Sequence, residues 1–204
     1  MKILAIDIGG TAIKYGITDE NFNVCEFYEI PSEAKLGRDH LMLKVLSIVG
    51  TYYGGVDCVG ISTAGQVNSE EGRIIFANES IPHYTGTEIK KMLTEKYDIP
   101  VVVENDVNSA ATAEAMFGSG KGSNDFLCLT YGTGVGGAVV VICQRANSGT
   151  SLHIRAACAV IAEITGAMRC MLPHRRLSEW SGRAPEKSLR GVKFSSRKIF
   201  IILQ

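Results

Sequence analysis

Two glycine-rich turns and one acidic corner hold the residues of this chain that could do chemistry. The first turn joins two apolar runs in Ile3-Leu-Ala-Ile-Asp-Ile-Gly-Gly-Thr-Ala-Ile-Lys-Tyr-Gly-Ile17. Gly9 and Gly10 can take positive φ and bring backbone N–H groups close to an anion. Thr11 adds a hydroxyl donor, and Asp7 could hold a hydrated Mg²⁺. The same residues also suit an ordinary hairpin turn. The second turn, Thr130-Tyr-Gly-Thr-Gly-Val-Gly-Gly137, can grip another phosphate through its amides and the Thr133 hydroxyl. Between the two stands Glu104-Asn-Asp-Val-Asn108, at the end of an apolar run and the mouth of a helix. Asp106 there can accept a proton, or can simply cap the helix with Asn105 as a turn residue. Phosphoryl transfer needs anion-gripping loops, a seat for Mg²⁺ and one carboxylate to orient or deprotonate the attacking hydroxyl, and residues for all three are present.

Two other phosphate motifs fit less well. Gly132-x-Gly134-x-x-Gly137 matches the dinucleotide fingerprint in form. It leads into the β-branched run Ala138-Val-Val-Val-Ile142 instead of a helix, and Leu152 stands where an acid is expected. Gly118-Ser-Gly-Lys-Gly122 resembles a P-loop, yet Gly122 follows Lys121 in place of Ser or Thr.

The elements that must position these residues read as an α/β layered domain with a mixed sheet. Residues 2–8, 12–18 and 22–29 are three strands of a meander, and Asp19-Glu20-Asn21 makes the second turn. Residues 37–53 follow a helical period through Leu41, Val45, Ile48 and Val49 and end at Gly54-Gly55. A buried strand over 56–62 precedes a helix over 86–97 with Ile89, Met92 and Leu93 on one side. A strand at 101–103 then leads into an alanine-rich helix over 107–117. Strands at 126–131 and 138–142 frame the second glycine turn. A helix over 155–172 and a strand over 192–203 are expected in the remainder.

Composition narrows the class. The chain has 204 residues, 46% of them hydrophobic, and no apolar run reaches the roughly 18–20 residues needed to span a bilayer. Its six cysteines, at 25, 58, 128, 143, 158 and 170, form no C-x-x-C pair, which argues for a reducing compartment and against a disulfide framework or a zinc site. A cytoplasmic protein with no membrane partner is expected. The net charge of zero hides a split: residues 1–142 hold 10 Lys and Arg against 18 Asp and Glu, whereas residues 143–204 hold 11 against 3. Such a shift marks a basic tail, a second domain or sequence foreign to the rest.

Asp7-Ile-Gly-Gly-Thr11, Ser62-Thr-Ala-Gly-Gln-Val-Asn68, Glu104-Asn-Asp-Val-Asn-Ser-Ala-Ala111 and Gly132-Thr-Gly-Val-Gly-Gly137 resemble the successive motifs of the ROK family of repressors and sugar kinases, across residues 2 to about 142. The resemblance implies the actin-like ATPase (ribonuclease H-like) fold. It implies an ATP-dependent kinase for a hexose or hexose derivative, of the glucokinase, N-acetylmannosamine kinase or β-glucoside kinase kind, with ATP and Mg²⁺ as cofactors. Asp106 would then be the catalytic base for a sugar hydroxyl, usually the 6-OH. Gly65, Asn78 and Asn105 would join it at the sugar. Asp7, Gly9, Gly10, Thr11 and Lys14 would form the first phosphate side, with Asp7 on Mg²⁺ through water, and Gly132, Thr133, Gly134 and Gly137 the second. The resemblance leaves oligomeric state open, with a homodimer one option, since kinases of this family are commonly dimers through their second lobe.

Residues 1–122 are accordingly expected to form a first lobe. Residues 123–204 would begin a second, followed from about residue 143 by a basic tail that lacks the family's later sugar-binding and zinc segments. A change of reading frame or a truncation near residues 142–150 accounts for that tail, as does a native basic extension that binds anionic partners. Two alternatives to an active kinase stand beside these: a catalytically impaired homologue, and a sugar-responsive regulator. The regulator is disfavoured because only Met1 and Lys2 precede the first strand, leaving no helix-turn-helix and no expected nucleic-acid partner.

Overall fold

Leu4, Ile6 and Ile8 alternate with Ala5 and Asp7 along the first strand, and only the aliphatic set is buried. That one-sided burial is the rule by which the first half of the chain is built. The computed structural model describes residues 1–123, 125–131, 135–145, 149–156 and 198–203. The chain forms two compact units, Met1–Ser109 and Ala110–Gln204.

In the first unit, β1 (Ile3–Ile8), β2 (Ala12–Thr18) and β3 (Val24–Pro31) form an antiparallel meander, followed by a 3-10 turn at Ala34–Leu36 and helix α1 (Arg38–Tyr52). Strand β4 (Cys58–Thr63) leads to the short hairpin β5 (Gln66–Asn68) and β6 (Arg73–Phe76), then to α2 (Ile89–Tyr97), β7 (Val101–Asn105) and the first turn of α3 (Asp106–Met116), whose residues from Ala110 on belong to the second unit. The five-stranded sheet has the order β3-β2-β1-β4-β7, with β1, β4 and β7 parallel. Its alternate residues, including Ile13, Val59, Ile61, Val101 and Val103, enter one core cluster with Leu41, Met42, Val45, Ile48 and Val49 of α1 and Ile89 and Leu93 of α2. Each aliphatic side chain fully buried there contributes roughly 1.5–3 kcal/mol.

In the second unit, β8 (Asp125–Tyr131), β9 (Val135–Arg145) and β10 (Gly149–Ala156) form another antiparallel meander. Strand β11 (Lys198–Leu203) lies parallel to β8, giving the order β10-β9-β8-β11. Phe126 to Thr130 are buried without interruption, so both faces of β8 are covered.

Most elements fall where the hydrophobic pattern sets them, and the departures have local causes. Strand β3 starts at Val24 because the Asp19 carboxylate accepts hydrogen bonds from the amides of Asn21 and Asn23 and from the Asn23 side chain, holding a turn through residue 23. It extends to Pro31 because β3 is an edge strand, where a residue without an N–H is tolerated. The hairpin of β5 and β6 was not expected, being too short for alternation to register. The helix expected over 155–172 does not begin there. Arg155 and Ala156 close β10 opposite Val139 and Ala138, and residues 157–172 lie outside the described residues. The strand expected over 192–203 is β11 in its described part. Among the described residues no helix is long and apolar enough to cross a membrane.

Replacing Leu4, fully buried on the central strand, by Ala should lower unfolding free energy by about 2–5 kcal/mol in a urea titration followed by circular dichroism. Leu43 lies on the outer side of α1 and is 66% exposed, so Leu43→Ala should change stability by no more than about 0.5 kcal/mol in the same measurement.

Candidate functional site

The register of the first sheet carries a polar row across four neighbouring strands. Lys14 on β2 stands opposite Asp7 on β1, Asp7 opposite Ser62 on β4, and Ser62 opposite Glu104 on β7. All four line one groove of about 470 Å³, whose walls include Gly60 and Val102. The Ser62 hydroxyl donates to Asp7 Oδ1 at 2.9 Å, which orients the carboxylate and leaves Oδ2 without a protein hydrogen bond among the described residues. Lys14 is exposed, with its ammonium free for an anion among the described residues.

Beyond this row the chain leaves β7 at Asn105 and enters α3 at Asp106. The Asn105 side chain binds in two directions. Its Oδ1 accepts the amides of Val107 (3.0 Å) and Asn108 (3.1 Å), satisfying N–H groups that a helix start leaves without intrahelical partners. Its Nδ2 donates to the carbonyl of Gly65 (2.8 Å) and to Asp106 Oδ1 (2.7 Å). The cap is therefore Asn105, one residue ahead of the expected Asp106, because the Asn105 side chain is the one that reaches both amides. Asp106 Oδ1 also accepts the Val107 amide at 2.9 Å.

Gly65 can be placed under Asn105 only as glycine. Its φ is +99°, and a Cβ would stand 2.8 Å from the Phe76 carbonyl oxygen. The loop is also anchored from behind, where Thr63 Oγ1 and the Tyr84 hydroxyl form a fully buried hydrogen bond of 2.8 Å. Burial pushes the Tyr84 phenol up to about 12, against the opposing pull of that bond.

Asp106 is half-buried. Burial raises its pKa above the ordinary carboxylate value, the Val107 amide opposes this, the nearby Asp7 charge raises it further, and the Asn105 bond lowers it. A carboxylate held in that way is poised to take a proton.

Gly65, Asn105 and Asp106 are thus joined by hydrogen bonds, with Asp7 close enough for its charge to act on Asp106. Asn78 lies on an exposed loop, where its Oδ1 accepts from the amide (3.1 Å) and hydroxyl of Ser80, and it shares no hydrogen bond with the other three. The first glycine turn differs from expectation. Neither Gly9 nor Gly10 has positive φ, and the Gly9 amide is spent on the Ala12 carbonyl at 3.0 Å. A tight closure of the β1–β2 hairpin needs that bond, so Gly10 and Thr11, both exposed, are left to meet an anion. Gly132, Thr133 and Gly134 lie outside the described residues, while Gly137 is buried in β9 opposite Leu129. Among the described residues no group of three or more His, Cys, Asp or Glu side chains gathers as a ready metal cage. Ser62, Ser69 and Glu104 were not singled out from sequence. For Ser62 and Glu104 the signal is the shared strand face, which needs the register to be seen, whereas Ser69 stands in the turn after β5 and has no local signal.

The ROK family model matches residues 3–154, three quarters of the chain, and runs past the second glycine turn through most of β10. The chain belongs to the ROK family. It is 46% identical over 138 residues to an uncharacterised protein of Clostridium perfringens, covering 67% of this chain and 47% of that one. It is 34% identical over 140 residues to a glucokinase of Streptomyces coelicolor, covering 68% and 43%. A ROK family glucokinase from Streptomyces griseus, solved with glucose and AMPPNP, superposes with a TM-score of 0.63 at 29% identity, covering 77% of this chain and 48% of that one. The fold of this ROK chain is therefore the α/β actin-like ATPase fold of such sugar kinases, and the chain spans less than half the length of the curated relatives it matches.

The environment of Asp106 has a consequence for stability. A carboxyl whose folded pKa exceeds its unfolded value holds more protons when folded. It therefore favours the fold at low pH and loses that contribution as pH rises from about the unfolded value through the folded one. In urea titrations between pH 3.5 and pH 7, Asp106→Asn should gain on the wild type as pH rises. A wild-type advantage that grows with pH would contradict the assignment.

Proposed function

We propose that this ROK chain carries the sugar side and first phosphate side of an ATP-dependent kinase for a hexose or hexose derivative, with Asp106 as the base. The observation that carries the reading is the Asn105 side chain, which ties the Gly65 carbonyl to the Asp106 carboxylate beside the polar row of Asp7 and Lys14. A hydroxyl bound at this corner, by this reading the 6-OH, would lie within reach of Asp106. As the hydroxyl oxygen attacks the γ-phosphorus, its proton passes to Asp106 and the bond from phosphorus to the ADP oxygen breaks. The raised Asp106 pKa brings the base closer to working pH, while Asn105 keeps the carboxylate aimed.

Asn105 and the Gly65 loop would contact sugar hydroxyls, and Asn78 would join them from its loop. Gly10, Thr11 and Lys14 would hold phosphate oxygens on one side. Gly132, Thr133, Gly134 and Gly137 would also hold phosphate, in a second lobe beginning near residue 123. The free oxygen of Asp7 fits Mg²⁺, which keeps most of its waters and takes one or two carboxylates together with substrate phosphates. When bound, Mg²⁺ would neutralise phosphate charge, and Ser62 would hold the Asp7 carboxylate toward it.

A second reading stands beside this one. The chain spans less than half the length of the curated relatives it matches, so their whole-protein activity is not carried over to it, and the second reading is a kinase homologue that binds sugar without turning it over. A coupled ADP-release assay on the 204-residue chain against glucose, N-acetylglucosamine, N-acetylmannosamine, fructose and cellobiose separates the two. With an active chain, Asp106→Asn should cut turnover by about 10²–10⁴-fold while sugar binding is retained. Undiminished turnover in that variant would rule out Asp106 as base, and silence of the wild type on every sugar would leave the second reading.

A further inference from the structure

Glu104 receives three hydrogen bonds from three different segments. The amide of Asn105 donates to Oε1 at 2.7 Å, the side-chain amide of Asn108 on α3 donates to Oε1 at 3.1 Å, and the Ser69 hydroxyl donates to Oε2 at 2.6 Å. Ser69 stands in the turn between β5 and β6, thirty-five residues away in sequence. The turn is also tied to α2, where the Lys90 ammonium donates to the Glu70 carbonyl at 3.1 Å and the Lys90 amide to the Gly72 carbonyl at 3.1 Å. Asn68 Oδ1 accepts the amides of Glu70 and Glu71, and Arg73 pairs with Glu71.

We propose that Glu104 is a positioning residue, which latches the turn between β5 and β6 through Ser69 onto the corner that holds Asn105 and Asp106. One carboxylate oxygen grips the corner from within, and the other grips the turn. Gly65 precedes β5 directly, so a turn held by Ser69 keeps the Gly65 carbonyl in line with Asn105 Nδ2. Lys90 holds the far side of the turn to α2, so the charge-assisted Ser69 bond is the tie that joins the near side to the corner and resists its local opening. The consequence for a sugar rests on the kinase reading above, while the latch itself does not.

Hydrogen exchange followed by mass spectrometry on the 204-residue chain without ligand tests the latch. In Ser69→Ala the amides of residues 66–76 should exchange about ten- to a hundredfold faster, with those of β1 unchanged. Ser69→Thr keeps the hydroxyl and should restore wild-type exchange. Glu104→Gln offers Ser69 only a neutral partner and should fall between. Glu71→Gln removes a contact of the same turn that does not reach Glu104, and should have no such effect. Carboxyl ¹³C NMR provides the readout at the corner. In Ser69→Ala the Asp106 midpoint should fall toward the ordinary carboxylate value as the corner gains solvent, whereas in Glu71→Gln it should stay. Exchange that is unaltered in Ser69→Ala, or raised equally in β1, or an unmoved Asp106 midpoint, would overturn the latch. Saturating glucose should further slow exchange over residues 66–76 in the wild type. A wild type indifferent to glucose and to the other hexoses, with the ligand-free differences intact, would count against the sugar reading and leave the latch standing.

Discussion

One-sided burial of the sheet built on β1, β4 and β7 is the constraint on which the rest of the first unit depends. A shift of one residue in any of these strands would turn Ile6, Ile61 or Val103 out of the core and bring Asp7, Ser62 or Glu104 into it. Burying those polar groups without their partners costs far more than any local preference could return. The register is therefore held by the aliphatic face, and the polar row from Lys14 to Glu104 is its reverse side. The polar residues stay aligned because other residues on the same strands are packed.

At the ends of these strands the structure changes its means of control. Where the sheet stops, backbone groups lose their ladder partners, and side chains take over. Asn105 caps α3 with its oxygen and holds Gly65 and Asp106 with its nitrogen. Glu104 and Ser62 do similar work on either side, one reaching the hairpin turn and the other Asp7. The outcome is a carboxylate with one oxygen spoken for and a raised pKa, a combination that burial alone would not aim.

Much of this was legible in the chain itself. Short apolar runs placed β1, β2, β4 and β7 near their observed bounds, and Leu41, Val45, Ile48 and Val49 identified the inner side of α1. The hairpin of β5 and β6 was not legible, since strands of three and four residues offer no periodicity to detect. The glycine turn was legible as a turn but not in its geometry. A pair of glycines permits positive φ without requiring it, and the closure from Gly9 to Ala12 proceeds without it. Residues 143–204 differ in charge from the rest of the chain, and β10 within them pairs along β9 through backbone groups, to which net charge is indifferent.

Sequence by itself determined which residue types were available: the carboxylates at 7, 104 and 106, the amide at 105, the glycines at 9, 10 and 65, and the alternation that decides which face is buried. These properties are local, and a chain carries them whether or not it is folded. Only the tertiary structure decided that Asn105 meets Gly65 from forty residues away, that Ser62 orients Asp7 across fifty-five, and that Ser69 reaches Glu104. Hydrogen bonds act over about 3 Å. Which groups come within that reach is settled by how the strands register and where the turns return the chain, and no local pattern encodes it.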